Sequence, residues 1–502
     1  MNITASMLYS YTTCPHRVTM DLFGDRAERD EVSPFVELLW ERGDLFEQET
    51  IERLHIPYLN LRETPANERE GRTMGAMEEG VELIYGGRIS HGRLLGEPDL
   101  IRRTPSGYVP GDIKSGAGLE GTSDESDGKP KKHYAVQLGL YSDILQGIGA
   151  TASCEAFIWD IRGDEVIYDL SVSRTKTGKT TMWDEYREAL ASVGDIADRA
   201  ISTRPGLISA CALCHWRTHC RREIDASDDL TRISDLGRAR REKFPPSIAT
   251  VADLARADLR RLIVGGKSTI SGIGVKTLET YHARAVLQKQ TDPQPYFVTD
   301  VQLPGRGLPP AETELFFDVE TDPFRDLCYL HGFVKRVGGD TDSEEYIPFF
   351  ADEAEIESER QAFEQAWRFV MNHPEAVVYY YSHYEKTTWR KLARRYADVA
   401  AEDDVSDLFE EERFVDLYSD VVRPHMIWPT VSLSLKTLAK FAGFRWRDTD
   451  PSGAGSIEWF HQWVESGDPA IRQRILEYNE DDCVATRALV DAIQRLDRRA
   501  AP

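Results

Sequence analysis

The sequence predicts an α/β protein built from several domains, on three observations. At 502 residues it exceeds what one hydrophobic core usually holds, and length alone suggests about three domains. Helix-periodic stretches such as residues 35–54 alternate with short apolar strand-like runs. Two acidic constellations lie on such runs, far apart in the chain: Glu97-Pro98-Asp99 with Asp112-Ile113-Lys114, and Asp318-Val319-Glu320 with Tyr478-Asn479-Glu480-Asp481-Asp482.

Composition narrows the class. With 41% hydrophobic and 29% charged residues the chain has enough apolar material for several cores. No apolar run approaches membrane-spanning length, and residues 1–11 lack the charge and apolar pattern of a secretory signal, so a cytoplasmic location with no membrane partner is the default expectation. The net charge of −24 argues against a broadly basic nucleic-acid surface. Metal-dependent nuclease centres nevertheless consist of carboxylates, and the acidic runs 351–359 and 402–412 read as solvated helix faces that inflate the total. Four of the seven cysteines stand out, Cys14 near the start and the cluster Cys211, Cys214 and Cys220. Cys154, Cys328 and Cys483 read as small buried side chains.

Residues 1–223 mix helical stretches with strand-like runs at 94–101, 108–113 and 154–159, an α/β domain. The Gly-, Ser- and Asp-rich segment 116–132 reads as a mobile loop directly after Lys114. Residues 224–290 turn helical, with Gly272-Ile273-Gly274-Val-Lys276 between two apolar-periodic stretches, and 291–310 is rich in Pro and Gly, as a linker would be. A last α/β domain spans 311–502.

Two strands pairing as a hairpin would bring Asp99 beside Asp112, and side-chain alternation puts Lys114 on the same face as Asp112. Carboxylates supply hard oxygen ligands for Mg²⁺ or Mn²⁺, and an ammonium beside them can orient water and stabilise charge on phosphorus. In the second constellation alternation puts Asp318 and Glu320 on one strand face, a platform for a divalent pair. Tyr478 and Asp482, at i and i+4 of a helix-periodic stretch, share a face, so the phenol can orient water beside a metal-bound carboxylate.

The first pattern resembles the PD-D/E-x-K nuclease superfamily in its RecB-like branch, over most of 1–223. Gln137-Leu-Gly-Leu-Tyr141 matches that branch's Gln-x-x-x-Tyr helix, and Glu47 falls where relatives carry a histidine metal ligand. The resemblance implies a restriction-endonuclease-like α/β core. It also implies a clasp in which Cys14, Cys211, Cys214 and Cys220 hold a [4Fe–4S] cluster, with four-cysteine zinc as the alternative. The segment around Gly272, Gly274 and Lys276 resembles a helix-hairpin-helix, a small helical domain that contacts DNA through backbone amides at a helix N-terminus. The second pattern resembles the DEDDy exonucleases of the RNase H-like fold, over about 312–495, including YprB-like domains. There Glu385 takes the place of the family's middle aspartate, and Phe414-Val-Asp416-Leu417 and Ser434-Leu-Lys436 look like the group's following strand and helix.

The expectation is a metal-dependent DNA nuclease with two phosphodiesterase centres, the second acting 3′ to 5′, in repair, recombination or defence against foreign DNA. Its substrate would be single-stranded DNA or duplex ends. No phosphate-binding loop of a helicase motor is visible, so unwinding would fall to a helicase partner. Two alternatives stay open, a nucleic-acid-binding scaffold with one or both centres inactive, and a nuclease acting on RNA or an RNA–DNA hybrid.

Overall fold

A computed structural model describes residues 1–123, 126–175, 177–298, 308–309, 311–449 and 451–497. Half of the expected linker 291–310 lies outside them. The chain forms two compact units, Met1–Pro205 with Ser209–Cys220, and Gly206–Ile208 with Arg221–Pro502.

The first unit is built on a six-stranded mixed sheet. Leu100–Thr104 and Gly107–Ile113 pair antiparallel as a hairpin at its centre, and Glu155–Trp159 runs parallel to the second of them. A parallel pair needs a crossover, which the helix Lys132–Gly147 supplies. That helix is apolar nearly all round and packs with the helices Ala5–Thr13 and Met182–Ala197 into one core, in which Leu138, Tyr186 and Val193 are buried. Where a mobile loop was expected after Lys114, Leu119–Ser123 and Ser126–Pro130 pair as a hairpin. Glycine and serine content marks turns but does not exclude strand pairing between them.

The second unit contains a helical cluster and a five-stranded sheet. Val251–Arg256, the short hairpin of Ile263–Val264 with Lys267–Ser268, and Val275–Gln288 close over a core of Leu254, Ile273, Leu278 and Tyr281. In the sheet, Asp340–Phe350, Leu327–Val337 and Thr313–Asp322 are antiparallel neighbours, and Val377–Tyr380 and Phe414–Asp416 follow in parallel. Counted in chain order the strands lie third, second, first, fourth, fifth. One face is covered by Ile356–Met371 and Tyr384–Arg395 around Phe363 and Trp389. The long helix Pro469–Asp497 contributes Cys483, Leu489 and Ile493 to a core with Phe316 and Trp428 on the other.

A buried ion triad ties this helix to the sheet. Arg336 Nε donates to Glu314 Oε2 at 2.7 Å and Nη1 to Asp491 Oδ1 at 2.8 Å. Removing one member leaves uncompensated buried charge. Arg336→Ala is therefore expected to cost about 3–5 kcal/mol, read as a lower urea midpoint of this unit, and an unchanged midpoint would refute that role.

Candidate active sites

The first centre forms where the hairpin register sets Leu100 opposite Gly111, which places Asp99 beside Asp112. The two are cross-linked through the backbone. Asp99 N–H donates to Asp112 Oδ1 at 3.3 Å, and Ile113 N–H to Asp99 Oδ2 at 2.9 Å. Lys114 Nζ lies 3.0 Å from Asp112 Oδ2. Burial, then the Asp112 carboxylate, push the Asp99 carboxyl up to about 8, with Lys114 opposing and Glu47 adding to the rise. Burial works to lower the Lys114 ammonium, but Asp112 and Asp99 outweigh it and hold it above its ordinary value. Glu47 is buried on the helix Pro34–Glu52, where its Oε2 accepts from Arg62 at 3.2 Å and its Oε1 has no partner. Gln137 donates to Tyr141 Oη at 3.1 Å, and that hydroxyl reaches Glu97 O at 3.4 Å. Tyr141 is thereby held beside the acids, whose charges add to the rise that burial gives its phenol.

In the second centre Asp318, Glu320 and Asp482 offer carboxylate oxygens that all lie within 4.8 Å of one another. Among the described residues no other set of three or more acidic, histidine or cysteine ligands meets that spacing, neither Glu47, Asp99 and Asp112 nor the four clasp cysteines. Asp318 and Glu320 come from the central strand, which shifts register directly after Glu320, and such irregularities re-aim side chains at sites. Each acid has its own support. Asn479 Nδ2 donates to Asp318 Oδ2 at 2.7 Å, and Trp446 Nε1 to Asp482 Oδ1 at 2.7 Å. Asn479 reaches the strand because residue 332 is glycine: a Cβ there would stand 1.6 Å from Asn479 Oδ1.

Glu385 is buried in the first turn of Tyr384–Arg395, its Oε2 without a partner. Its approach is set by Ser382, whose φ of 84° is costly for a residue with a Cβ and is pinned by Ser382 N–H donating to Asp416 Oδ1 at 2.8 Å. Burial raises Asp318 and Glu385 well above the carboxylate range. Asp482, Glu320 and Glu385 add to it at Asp318, and Asp416 and Asp482 at Glu385, where the residue's own backbone N–H opposes the rise. Glu320 is pushed up to about 8 by burial and then by Asp482. Like charges crowded together, with orphaned oxygens facing them, are the signature of a place for a divalent cation.

In the sequence Lys436 is marked only as part of a motif, yet its ammonium donates to Tyr478 Oη at 2.5 Å and lies 4.0 Å from Asp482 Oδ2. Asn479 adjoins the acids but had no assigned role, and Trp446 gave no signal at all. If the phenol and its lysine act on the attacking water rather than on strand binding, Tyr478→Phe is expected to lower kcat about 10- to 100-fold while KM changes little. A KM effect larger than the kcat effect would remove that role.

A group whose pKa is raised in the folded state stabilises the fold below its unfolded pKa and loses that contribution as pH rises through the folded value. For Glu320 the window runs from its ordinary 4.5 to about 8. Without metal, melting temperature is expected to fall across it by about 10 °C, and Mn²⁺ to raise the value measured at its alkaline end. A flat profile in EDTA would contradict this.

Geometry and topology define two nuclease-type domains in one chain. Residues 5–221 match the family model of the PD-(D/E)XK nuclease superfamily, and residues 315–494 that of the RNase H superfamily. The chain thus carries one nuclease-type domain of each superfamily, in a mixed α/β multidomain fold, which supports phosphodiester hydrolysis with nucleic acid as the substrate. No curated protein matches it. No helix among the described residues is long and apolar enough to cross a membrane.

Proposed function

We propose that the chain degrades DNA at two independent centres loaded with Mg²⁺ or Mn²⁺, the second releasing nucleotides 3′ to 5′ from single strands or duplex ends. The observation that carries this reading is the convergence of Asp318, Glu320 and Asp482 within 4.8 Å, with Tyr478 and Lys436 beside them. A bound divalent pair would supply Lewis acidity and an activated water. The chain's own residues then divide the remaining work. Asp318, Glu320, Asp482 and Glu385 hold the cations, and Asn479 and Trp446 fix two of those carboxylates. Tyr478 orients the water, its hydroxyl held by Lys436. In the first centre Glu47, Asp99 and Asp112 take the ligand role, Lys114 faces the developing charge, and Gln137 and Tyr141 hold the strand.

Two accessory roles belong to the same reading. Gly272 adopts φ 71°, Gly274 caps Val275–Gln288, and Lys276 is exposed in that helix's first turn, which suits a helix-hairpin-helix gripping a DNA phosphate. Cys14, Cys211, Cys214 and Cys220 would form an iron–sulfur clasp. Burial raises the Cys214 thiol, and Cys211 and Cys14 are near enough to raise it further. Four-cysteine zinc is the alternative occupant of the same thiols. The biological setting proposed is repair, recombination or defence, with a helicase as partner.

End-labelled single-stranded, duplex, RNA and hybrid substrates, cut in Mn²⁺ by the parent and by Lys114→Ala and Asp318→Ala chains, test the proposal. Loss of a distinct product pattern in each variant supports it. Binding without cleavage would make the chain a scaffold, and preference for RNA or hybrid would overturn the DNA assignment.

A further inference from the structure

The helix that carries Gln137 and Tyr141 presents a third residue on the same face, Tyr134, at the i, i+3, i+7 spacing. Tyr134 is 8% exposed, and its hydroxyl makes no hydrogen bond among the described residues. Two cations lie near its ring, Lys114 Nζ at 5.8 Å and Lys131 Nζ at 5.1 Å from the centroid. Gly116 adjoins two of these groups: a Cβ there would stand 3.6 Å from Tyr134 Oη and 4.0 Å from Lys131 Nζ. Lys131 is also the N-cap of the 16-residue helix, which has no side-chain cap, so the helix's positive end adds to the same field.

Lys114 is paired with Asp112, but no acidic group bonds the other two among the described residues. Lys131 has no ion-pair partner among the described residues. Of the nearest carboxylates, Glu120 is engaged by Lys129 at 3.4 Å and Arg174 at 3.5 Å, and Asp160 accepts the backbone N–H groups of Gly118, Arg162 and Asp164. Burial pulls the Lys131 ammonium below its ordinary value, and the charges of Glu120 and Asp160 offset that only in part.

We infer that Lys131, Tyr134 and the bare backbone at Gly116 form a second anion subsite of the first centre, which holds a phosphodiester next to the one being cut. This rests on the nuclease reading of that centre. The ammonium supplies charge, the phenol a directional donor, and the missing Cβ lets a phosphate oxygen approach. Lys114 stands between the two phosphates and so fixes the register of the strand against Asp99 and Asp112.

The test uses the full chain carrying Asp318→Ala, so that only the first centre cuts, with an end-labelled oligothymidylate as substrate. Lys131→Ala is expected to raise KM about 5- to 10-fold, to flatten the dependence of log affinity on log salt by about 0.7, the value of one single-strand phosphate contact, and to be rescued largely by Lys131→Arg. Tyr134→Phe should raise KM more than it lowers kcat. Because Tyr134→Phe keeps the ring and its packing, it remains informative if a lysine variant folds poorly. KM values and salt slopes equal to the parent's would overturn the subsite while leaving the nuclease reading intact. If the parent neither binds nor cuts the strand, the reading and the subsite fall together.

Discussion

Asp318→Asn is expected to abolish hydrolysis at the second centre, by about 10³-fold or more, and at the same time to make the metal-free protein more stable at alkaline pH. Both outcomes come from one carboxylate. Asp318 is one of three acids within 4.8 Å, and on the proposed reading losing it would remove a cation ligand from a centre that depends on the cation for charge stabilisation. Without metal the same carboxylate is a liability, because burial and the neighbours Asp482, Glu320 and Glu385 all disfavour its charge. The amide keeps the shape and still accepts from Asn479, so packing is preserved while a repulsive charge goes. Melting in EDTA should shift upward by a few degrees at the alkaline end of the Glu320 window and hardly at all at the acidic end, where the carboxyls are protonated in either chain. Calorimetry should show weakened Mn²⁺ binding. An Asp318→Asn chain that keeps activity, or that melts lower than the parent without metal, would show that these acids do not form the cation site. A gain in stability at the expense of function is the pattern expected where a fold stores electrostatic strain for use.

What sequence reasoning could reach depended on how local the signal was. Side-chain alternation along a strand correctly joined Asp318 to Glu320, and a four-residue helical step joined Tyr478 to Asp482, because strand and helix periodicity alone decide which way those residues point. The hairpin between Asp99 and Asp112 was legible for the same reason, as two apolar runs with a turn between them. Tertiary supports were not legible. Trp446 reaches Asp482 from a loop 36 positions away, and Asn479 reaches Asp318 only because Gly332 lies across the sheet; neither contact has a period to follow. Acidic runs misled in one particular. Glu359 belongs to a stretch read as solvated, yet it is 1% exposed, accepting from the backbone of Cys328 and from Arg395. A charge run reports composition, whereas burial of one member depends on which cation the fold brings to it. The four cysteines show the opposite limit. Their spacing suggested a shared ligand, and the fold brings Cys14, Cys211 and Cys214 into electrostatic reach of one another, but which metal they take is chemistry that a pattern of thiols does not carry.

Lys114→Ala should separate the two centres most cleanly. Cleavage by the first centre is expected to fall about 10³-fold, since in the proposed role the ammonium 3.0 Å from Asp112 Oδ2 would face the charge that develops on phosphorus. Activity of the second centre should persist, so that only the double variant with Asp318→Ala is inert. A second consequence follows from burial. Asp112 is 1% exposed and Lys114 is its one ion-pair partner among the described residues, so truncation leaves a buried carboxylate facing Asp99 with no compensating cation. In metal-free protein this should cost the first unit about 2–4 kcal/mol, and Mn²⁺ should recover much of it by taking over the lysine's role towards both acids. Lys114→Arg discriminates between charge and chemistry. The guanidinium can pair with Asp112 and restore stability, but its wider, forked donor array cannot take the ammonium's place at the phosphate, so the variant should fold like the parent and remain slow. Parent-like cleavage by Lys114→Arg would reduce the lysine to a structural counter-ion and shift the burden of charge stabilisation at the first centre onto the cation alone.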